Sequence, residues 1–229
     1  MSTTALEALA VSAAQELEGA TPQEVLRWAV DTFGERFVIS SSMGDGVLAS
    51  LAASVAPGVE VVFLDTGYHF AETIGTRDAV AQVYDVTVRT VLPLLTVTQQ
   101  DAEYGAELWR RDPDKCCAMR KVEPLTRALA DYDAYASGIR RDESPTRAGT
   151  AVVEWDAKRG KVKVNPLVAW TQEDVDRYVE ENGILVNPLV EDGYPSIGCA
   201  PCTFRVAPGD DPRSGRWKGS QKTECGLHV

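Results

Sequence analysis

RFVISSSMGDGVLASLAASVA, residues 36–56, decides the fold. A short apolar run, Phe37 to Ile39, ends in three serines; two glycines follow, and then an apolar stretch with the spacing of a buried helix. The order reads as strand, polar turn, helix. Two further runs repeat the strand signal, VEVVFLDTG at 59–67 and YDVTVRTV at 84–91, with FAETIGTRDAVAQVY at 70–84 as the helix between them. Strands separated by helices of this length need right-handed crossovers, so the expectation is a single-domain α/β fold with a doubly wound, mostly parallel sheet. In such sheets ligands bind beyond the carboxyl ends of the strands. Ahead of this region, TPQEVLRWAVDTFG at 21–34 places Thr21, Pro22 and Glu24 as a capping-box start for a helix that Gly34 closes.

The turn after the first strand, SSSMGDG at 40–46, offers small hydroxyls and glycines ahead of a helix amino terminus, a cradle suited to phosphate. It lacks the Gly-Lys-Ser/Thr ending of a Walker-type loop and the spacing of dinucleotide-binding glycines, and a plain structural connection is the alternative. The second strand ends in LDTGYHF, bringing Asp65, Thr66 and Gly67 to the same edge. After the predicted strand AYA at 134–136, the loop ASGIRRDESPTRAG carries Arg140, Arg141 and Arg147. Their guanidinium forks suit tetrahedral oxyanions, against the alternative of a solvated charged loop.

The chain of 229 residues is 44% hydrophobic and 25% charged, enough for one substantial core. Its net charge of -11 argues against nonspecific binding to nucleic acid or anionic membranes, so any anionic ligand must be held locally. No apolar run reaches the length of a membrane span, and the amino terminus lacks signal-peptide character, which predicts a cytoplasmic protein. A homo-oligomer is compatible with the sequence.

Five cysteines are poor disulfide material in a reducing compartment. Cys116 and Cys117 are tandem, Cys199 and Cys202 form a C-x-x-C, and Cys225 stands alone in the closing TECGLHV, three residues before His228. Four thiolates in two pairs suit a tetrahedral zinc or an iron–sulfur cluster. Tandem cysteines diverge, which a multi-iron cluster accommodates more easily than one ion. Buried small hydrophobes and a redox dithiol are the other readings. The Gly-, Pro- and charge-rich stretch VAPGDDPRSGRWKGSQKTE at 206–224 reads as a flexible arm, so the expected division is an α/β nucleotide-binding and iron–sulfur domain over 1–205 and a mobile arm with the tail over 206–229.

Taken together, SSSMGDG, LDTGYHF, CCAMRKVEPL, GIRRDESPTR, IGCAPCT and ECGLH resemble the assimilatory adenylyl-sulfate (APS) reductases, in order from about residue 38 to residue 228. The resemblance implies an adenine nucleotide alpha hydrolase-like fold and a [4Fe-4S] cluster on Cys116, Cys117, Cys199 and Cys202. It also implies thioredoxin-dependent reduction of APS to sulfite and AMP. Relatives using the 3′-phosphorylated substrate (PAPS) usually lack the cluster cysteines, so their presence favours APS, with PAPS as the alternative. Carried over by motif, the substrate pocket falls on Ser40, Ser42, Leu64, Thr66, Gly138 and Arg147, and the phosphosulfate-binding arginines on Arg213 and Arg216. Lys121 falls between cluster and substrate, and Cys225 is the nucleophile.

A thiolate on a mobile tail suits that role, because it can enter the pocket, take up a sulfonate and swing out to a thioredoxin thiol. His228 can bind substrate or lower the thiol's pKa, or be a solvated side chain. Two other classes are kept in view. An ATP pyrophosphatase-type sulfur-transfer enzyme of the same fold carries a fuller SGGxDS-type loop, and a noncatalytic module would hold zinc and be colourless.

Overall fold

The computed structural model describes residues 1–219 and 222–227. The run that opened the sequence forms β1 (Phe37–Ser40) and α3 (Val47–Val55), preceded by α1 (Thr3–Glu16) and α2 (Pro22–Phe33). Thr21 caps α2 as its motif demands: the hydroxyl accepts from the Glu24 amide at 3.3 Å, and the Glu24 carboxylate accepts from the Thr21 amide at 2.8 Å. Then come β2 (Val59–Leu64), α4 (Ala71–Val83) and β3 (Val86–Val91).

A helical stretch leads on to β4 (Ala134–Ser137): α5 (Val97–Tyr104), α6 (Leu108–Arg111), α7 (Pro113–Cys117), a wide π-type turn (Ala118–Val122) and α8 (Glu123–Ala128). The last elements of the domain are β5 (Val153–Asp156), β6 (Lys161–Val164) and α9 (Gln172–Asn182).

The strands assemble in the order β3-β2-β1-β4-β6-β5. Every neighbouring pair is parallel except β5 and β6, an antiparallel hairpin at one edge that the sequence reading did not anticipate. Residues of opposite parity supply the two faces, as the strand period of two requires. Ile39, Val61, Phe63, Ala134 and Ala136 pack against α1, α2 and α3 through Leu6, Leu26, Ala29 and Leu51. Val38, Val62, Leu64 and Tyr135 pack on the other face with Leu125 and Leu129. A sheet covered on both faces has a doubly wound architecture, as expected.

The register aligns the carboxyl ends of three strands. Ser40 lies opposite Ser137 of β4 and Val62 of β2, so β2, β1 and β4 end side by side. Their polar turns therefore gather in one row, the third helical connection lies over one end of it, and the chain beyond residue 198 returns across that end.

Candidate active site

The tandem cysteines end α7, which Asp112 caps by accepting from the Lys115 amide at 3.0 Å, with Pro113 in the first turn. Helical spacing places Cys116 with Arg120 and Cys117 with Lys121, each pair four residues apart and on one face. The wide turn Ala118–Val122 keeps both cations in the wall; such turns recur at functional sites. Arg120 and Lys121 are buried. Arg120 donates to the Leu95 carbonyl at 3.0 Å and lies over the Tyr68 ring.

The C-x-x-C arrives from the other side. Cys199 opens a single turn in which the Cys202 amide donates to the Cys199 carbonyl at 2.9 Å, and the Thr203 hydroxyl donates to that same oxygen at 2.9 Å. This loop is tied to the end of β2: the Ala200 amide donates to the Tyr68 carbonyl at 2.7 Å, and Thr66 Oγ1 lies 3.3 Å from Cys199 Sγ. Cys116, Cys117, Cys199 and Cys202 thus line a single cavity with Tyr68, Trp109, Arg120, Lys121 and Trp217. All five cysteines of the chain are free thiols. Burial, reinforced by the facing thiols, pushes Cys116 up to about 12 and Cys202 up to about 11, and Cys117 rises from the same leading cause.

The arm folds back rather than projecting. The Phe204 amide donates to the Gly215 carbonyl, and the Trp217 amide donates to the Cys202 carbonyl at 3.0 Å, which seats Trp217 over the thiols. Only glycine fits at 215, where a Cβ would stand 2.2 Å from the Phe204 carbonyl oxygen; at 198 a Cβ would stand 2.3 Å from Arg216 Nη2. Arg216 stacks at 4.5 Å on Trp217 and donates to Ser196 Oγ and the Ile197 carbonyl, leaving its Nε without a partner. Burial lowers its pKa, with Arg213 adding to the effect.

Cys225 is 9% exposed and packs with Cys117, Cys199, Cys202 and Trp217. Lys121 faces the thiols of Cys199, Cys225 and Cys117; burial opposes its charge, yet those thiols outweigh it and its pKa rises. No carboxylate among the described residues pairs with Lys121 or Arg216. His228 lies outside the described residues.

The residues expected at the nucleotide pocket share the carboxyl edge without all facing outward. Ser40 is half-buried, while Ser42 and Gly138 are exposed, as a ligand-facing row would be. Leu64 and Thr66 are buried, and the Thr66 hydroxyl turns toward Cys199 and the Tyr68 amide. Asp45, one residue before the Gly46 N-cap of α3, accepts from the Val47 amide at 2.9 Å in a local turn, and burial raises its pKa.

The loop arginines do not converge. Arg140 pairs with Asp142 and Gln172, and Arg141 pairs with Glu18. Of the three, Arg147, buried between Glu143 and Glu224, turns to the tail. The sequence reading also passed over Arg120, Tyr68, Trp109 and Glu224. The (i, i+4) spacing from Cys116 was a signal for Arg120. The others are brought in by contacts remote in sequence.

Comparison with known proteins identifies the family and the fold. Residues 36–205 match the phosphoadenosine phosphosulfate reductase domain family. A Streptomyces coelicolor protein named adenosine 5′-phosphosulfate reductase is 64% identical over 223 residues, covering 97% of this chain and 94% of its own length. A protein of the same name from Mycolicibacterium smegmatis is 59% identical over 224 residues, covering 98% and 95%. Among solved structures, the phosphoadenylyl-sulfate reductase of Candida auris in its phosphate complex superposes with a TM-score of 0.73 at 29% identity, over 85% of this chain and 96% of that one. The match over residues 36–205 and this near full-length similarity lead to one conclusion: the chain belongs to the phosphoadenosine phosphosulfate reductase family.

Proposed function

We propose that the chain is an assimilatory APS reductase of the cytoplasm, reducing APS to sulfite and AMP with thioredoxin as the electron donor. The observation that carries this reading is the setting of Cys225. Its thiol is docked beside Lys121 and Arg216, two cations with no carboxylate partner among the described residues, at the edge where a doubly wound sheet binds nucleotides. The high identity to proteins named for APS supports the substrate.

In this mechanism the Cys225 thiolate attacks the sulfur of APS. A sulfur–sulfur bond forms, the bond from sulfur to the bridging oxygen breaks, and the electron pair leaves with AMP. Lys121, Arg216 and Arg213 meet the charge of the phosphosulfate, which lets an acidic chain hold an anion. Ser40, Ser42, Leu64, Thr66, Gly138 and Arg147 would shape the nucleotide side, and His228 would assist at the tail. A thioredoxin thiolate then attacks Cys225 sulfur, sulfite departs with the electron pair, and the second thioredoxin thiol resolves the mixed disulfide. Two electrons pass from the dithiol to the sulfonate sulfur, and Cys225 returns as a thiol. Residues 206–229 would act as the moving part, because Cys225 is buried when docked and thioredoxin must reach it.

Cys116, Cys117, Cys199 and Cys202 would hold a [4Fe-4S] cluster. Four buried free thiols around one cavity, beside Arg120 and Lys121, fit an anionic multi-iron group. No group of three or more His, Cys, Asp or Glu side chains among the described residues is set to hold a single metal ion. When bound, the group would tie α7 to the C-x-x-C loop and set the electrostatic environment of Lys121.

Sulfite release with thioredoxin, measured from APS and from PAPS, tests the reading. Release from APS without ATP hydrolysis is expected; preference for PAPS would reassign the substrate, and no release from either would refute the reaction. A second test concerns Arg216. Arg216→Ala is expected to weaken APS binding by roughly 10- to 100-fold and AMP binding far less, since one desolvated charged contact is worth about 1.5–3 kcal/mol. Equal losses for both ligands in calorimetry would move Arg216 to the α-phosphate or the scaffold.

A further inference from the structure

Asn187 takes no part in the reaction described above, yet it is fully buried and both polar atoms of its side chain are engaged. Its Nδ2 donates to the Met43 carbonyl and to Thr73 Oγ1, each at 3.2 Å. Its Oδ1 accepts from the Leu189 amide at 3.1 Å. The partners fix the orientation of this side chain, because a carbonyl only accepts and a backbone amide only donates. A buried polar group satisfied in this way rigidifies the segments it joins.

Those segments are two polar turns at the carboxyl edge. Met43 is the middle residue of SSSMGDG, next to the exposed Ser42, and its φ of 60° is a left-handed conformation uncommon for any residue but glycine. Such a conformation persists only where its surroundings hold it. Thr73 is buried in the first turn of α4, the helix entered directly from the turn that carries Thr66. The backbone around Asn187 grips the first turn as well. The Asn187 amide donates to the Gly44 carbonyl at 3.1 Å, the Gly46 amide donates to the Leu185 carbonyl at 2.8 Å, and Asp45 and Val186 form an antiparallel bridge. One side-chain amide therefore links the turn after β1 to the helix after β2.

We propose that Asn187 is a positioning residue for the nucleotide side of the site: through Met43 and Thr73 it holds the turn that carries Ser40 and Ser42 beside the turn that carries Leu64 and Thr66. This rests on the reading of those four residues as substrate-binding. The adenylate then meets two turns already set in place, and less free energy is spent on ordering them when it binds. Asn187 acts through the turns and not on the reacting atoms. Its hydrogen bonds run to Met43, Gly44, Thr73, Leu189 and Val190, and the tail keeps its own seat for the attack by Cys225. APS and AMP share the adenylate, so loosening the turns should weaken both alike.

Two measurements on the full-length holoprotein test this. The first follows amide hydrogen exchange without nucleotide. In Asn187→Ala the peptide over residues 41–47 should exchange about 10-fold faster than in wild type, while the α7 peptide and any bound iron stay unchanged. Thr73→Val, which removes one acceptor and keeps the side chain's shape, should raise exchange in the same peptide by a smaller factor. Unchanged exchange at 41–47, or faster exchange throughout the chain, would overturn the holding role. The second measurement compares APS and AMP binding to Cys225→Ser and to Asn187→Ala/Cys225→Ser, neither of which turns over. The double variant should bind both ligands roughly 10-fold more weakly, a difference of about 1.4 kcal/mol. Unchanged affinity for both, or a loss confined to APS, would overturn the nucleotide role while leaving the substrate reading intact. If Cys225→Ser bound neither ligand, the substrate reading itself would fall and the nucleotide role with it, whereas the exchange result would still judge whether Asn187 holds the turn.

Discussion

Cys225→Ser is expected to stop sulfite formation, by about 10⁴-fold or more, while leaving APS binding and any bound iron in place. The reason is chemical before it is structural. A serine hydroxyl is far less ionised near neutral pH than a thiol and far less nucleophilic, and loss of a covalent nucleophile is among the largest single-residue effects known in enzymes. The four other cysteines line their cavity from α7 and the C-x-x-C loop, elements that do not depend on the tail thiol.

The wild-type protein mixed with APS and no thioredoxin should give one equivalent of AMP and a sulfonate mass increase confined to the Cys225 peptide, and thioredoxin added afterwards should remove that mass and release sulfite. Because Cys225 is buried with Trp217 in the docked state, the second step should be sensitive to the arm. Slow thioredoxin turnover of a preformed adduct would mark undocking as the limiting motion. If the adduct appeared on Cys199 or Cys202, the C-x-x-C would be the redox centre and the role given to the tail would be wrong.

How much of this was legible in the sequence depends on the distance over which each feature is determined. The α2 cap is local: Thr21, Pro22 and Glu24 hold everything the motif needs within four residues, and the structure reproduces it bond for bond. The first three strands and the helices between them were equally readable, because β1 and β2 are buried on both faces and so appear as continuous apolar runs.

The β5–β6 hairpin escaped notice. Its strands are four residues each, VEWD and KVKV, and half their side chains are polar; Lys163, for one, is buried only because Glu154 on the partner strand meets it at 3.0 Å. The contacts of the tail were not legible for a similar reason. Local composition around Gly226 gives no hint of the contact between Glu224 and Arg147, 77 residues away in sequence, or of the packing of Cys225 beside Trp217. The motifs lie within short windows of sequence, while the ion pairs around them, such as Glu224 with Arg147, lie beyond any such window.

Replacing Cys116, Cys117, Cys199 or Cys202 by serine should have the other large effect: loss of iron and acid-labile sulfide, loss of most activity, and lower thermal stability. A hard alcohol is a poor substitute for a soft thiolate, and metal-binding energy that joins two segments is also folding energy. Apart from the thiols' own contacts, the C-x-x-C loop is attached to the β2 turn through the Ala200 amide, to α6, and to the arm through Trp217 and the bridge between Thr203 and Arg216. Without the group, repulsion among buried thiolates would be relieved only by protonation or by opening of the cavity, and either would shift Lys121, which faces Cys199 and Cys117.

Activity alone would not separate a cluster from a structural zinc, so the deciding readout is metal analysis with visible absorption. A brown wild type with iron and sulfide, four colourless variants and a brown Cys225→Ser are expected. Iron content unchanged in all four variants would refute the ligand set, and a colourless wild type with stoichiometric zinc would replace the cluster by a single ion.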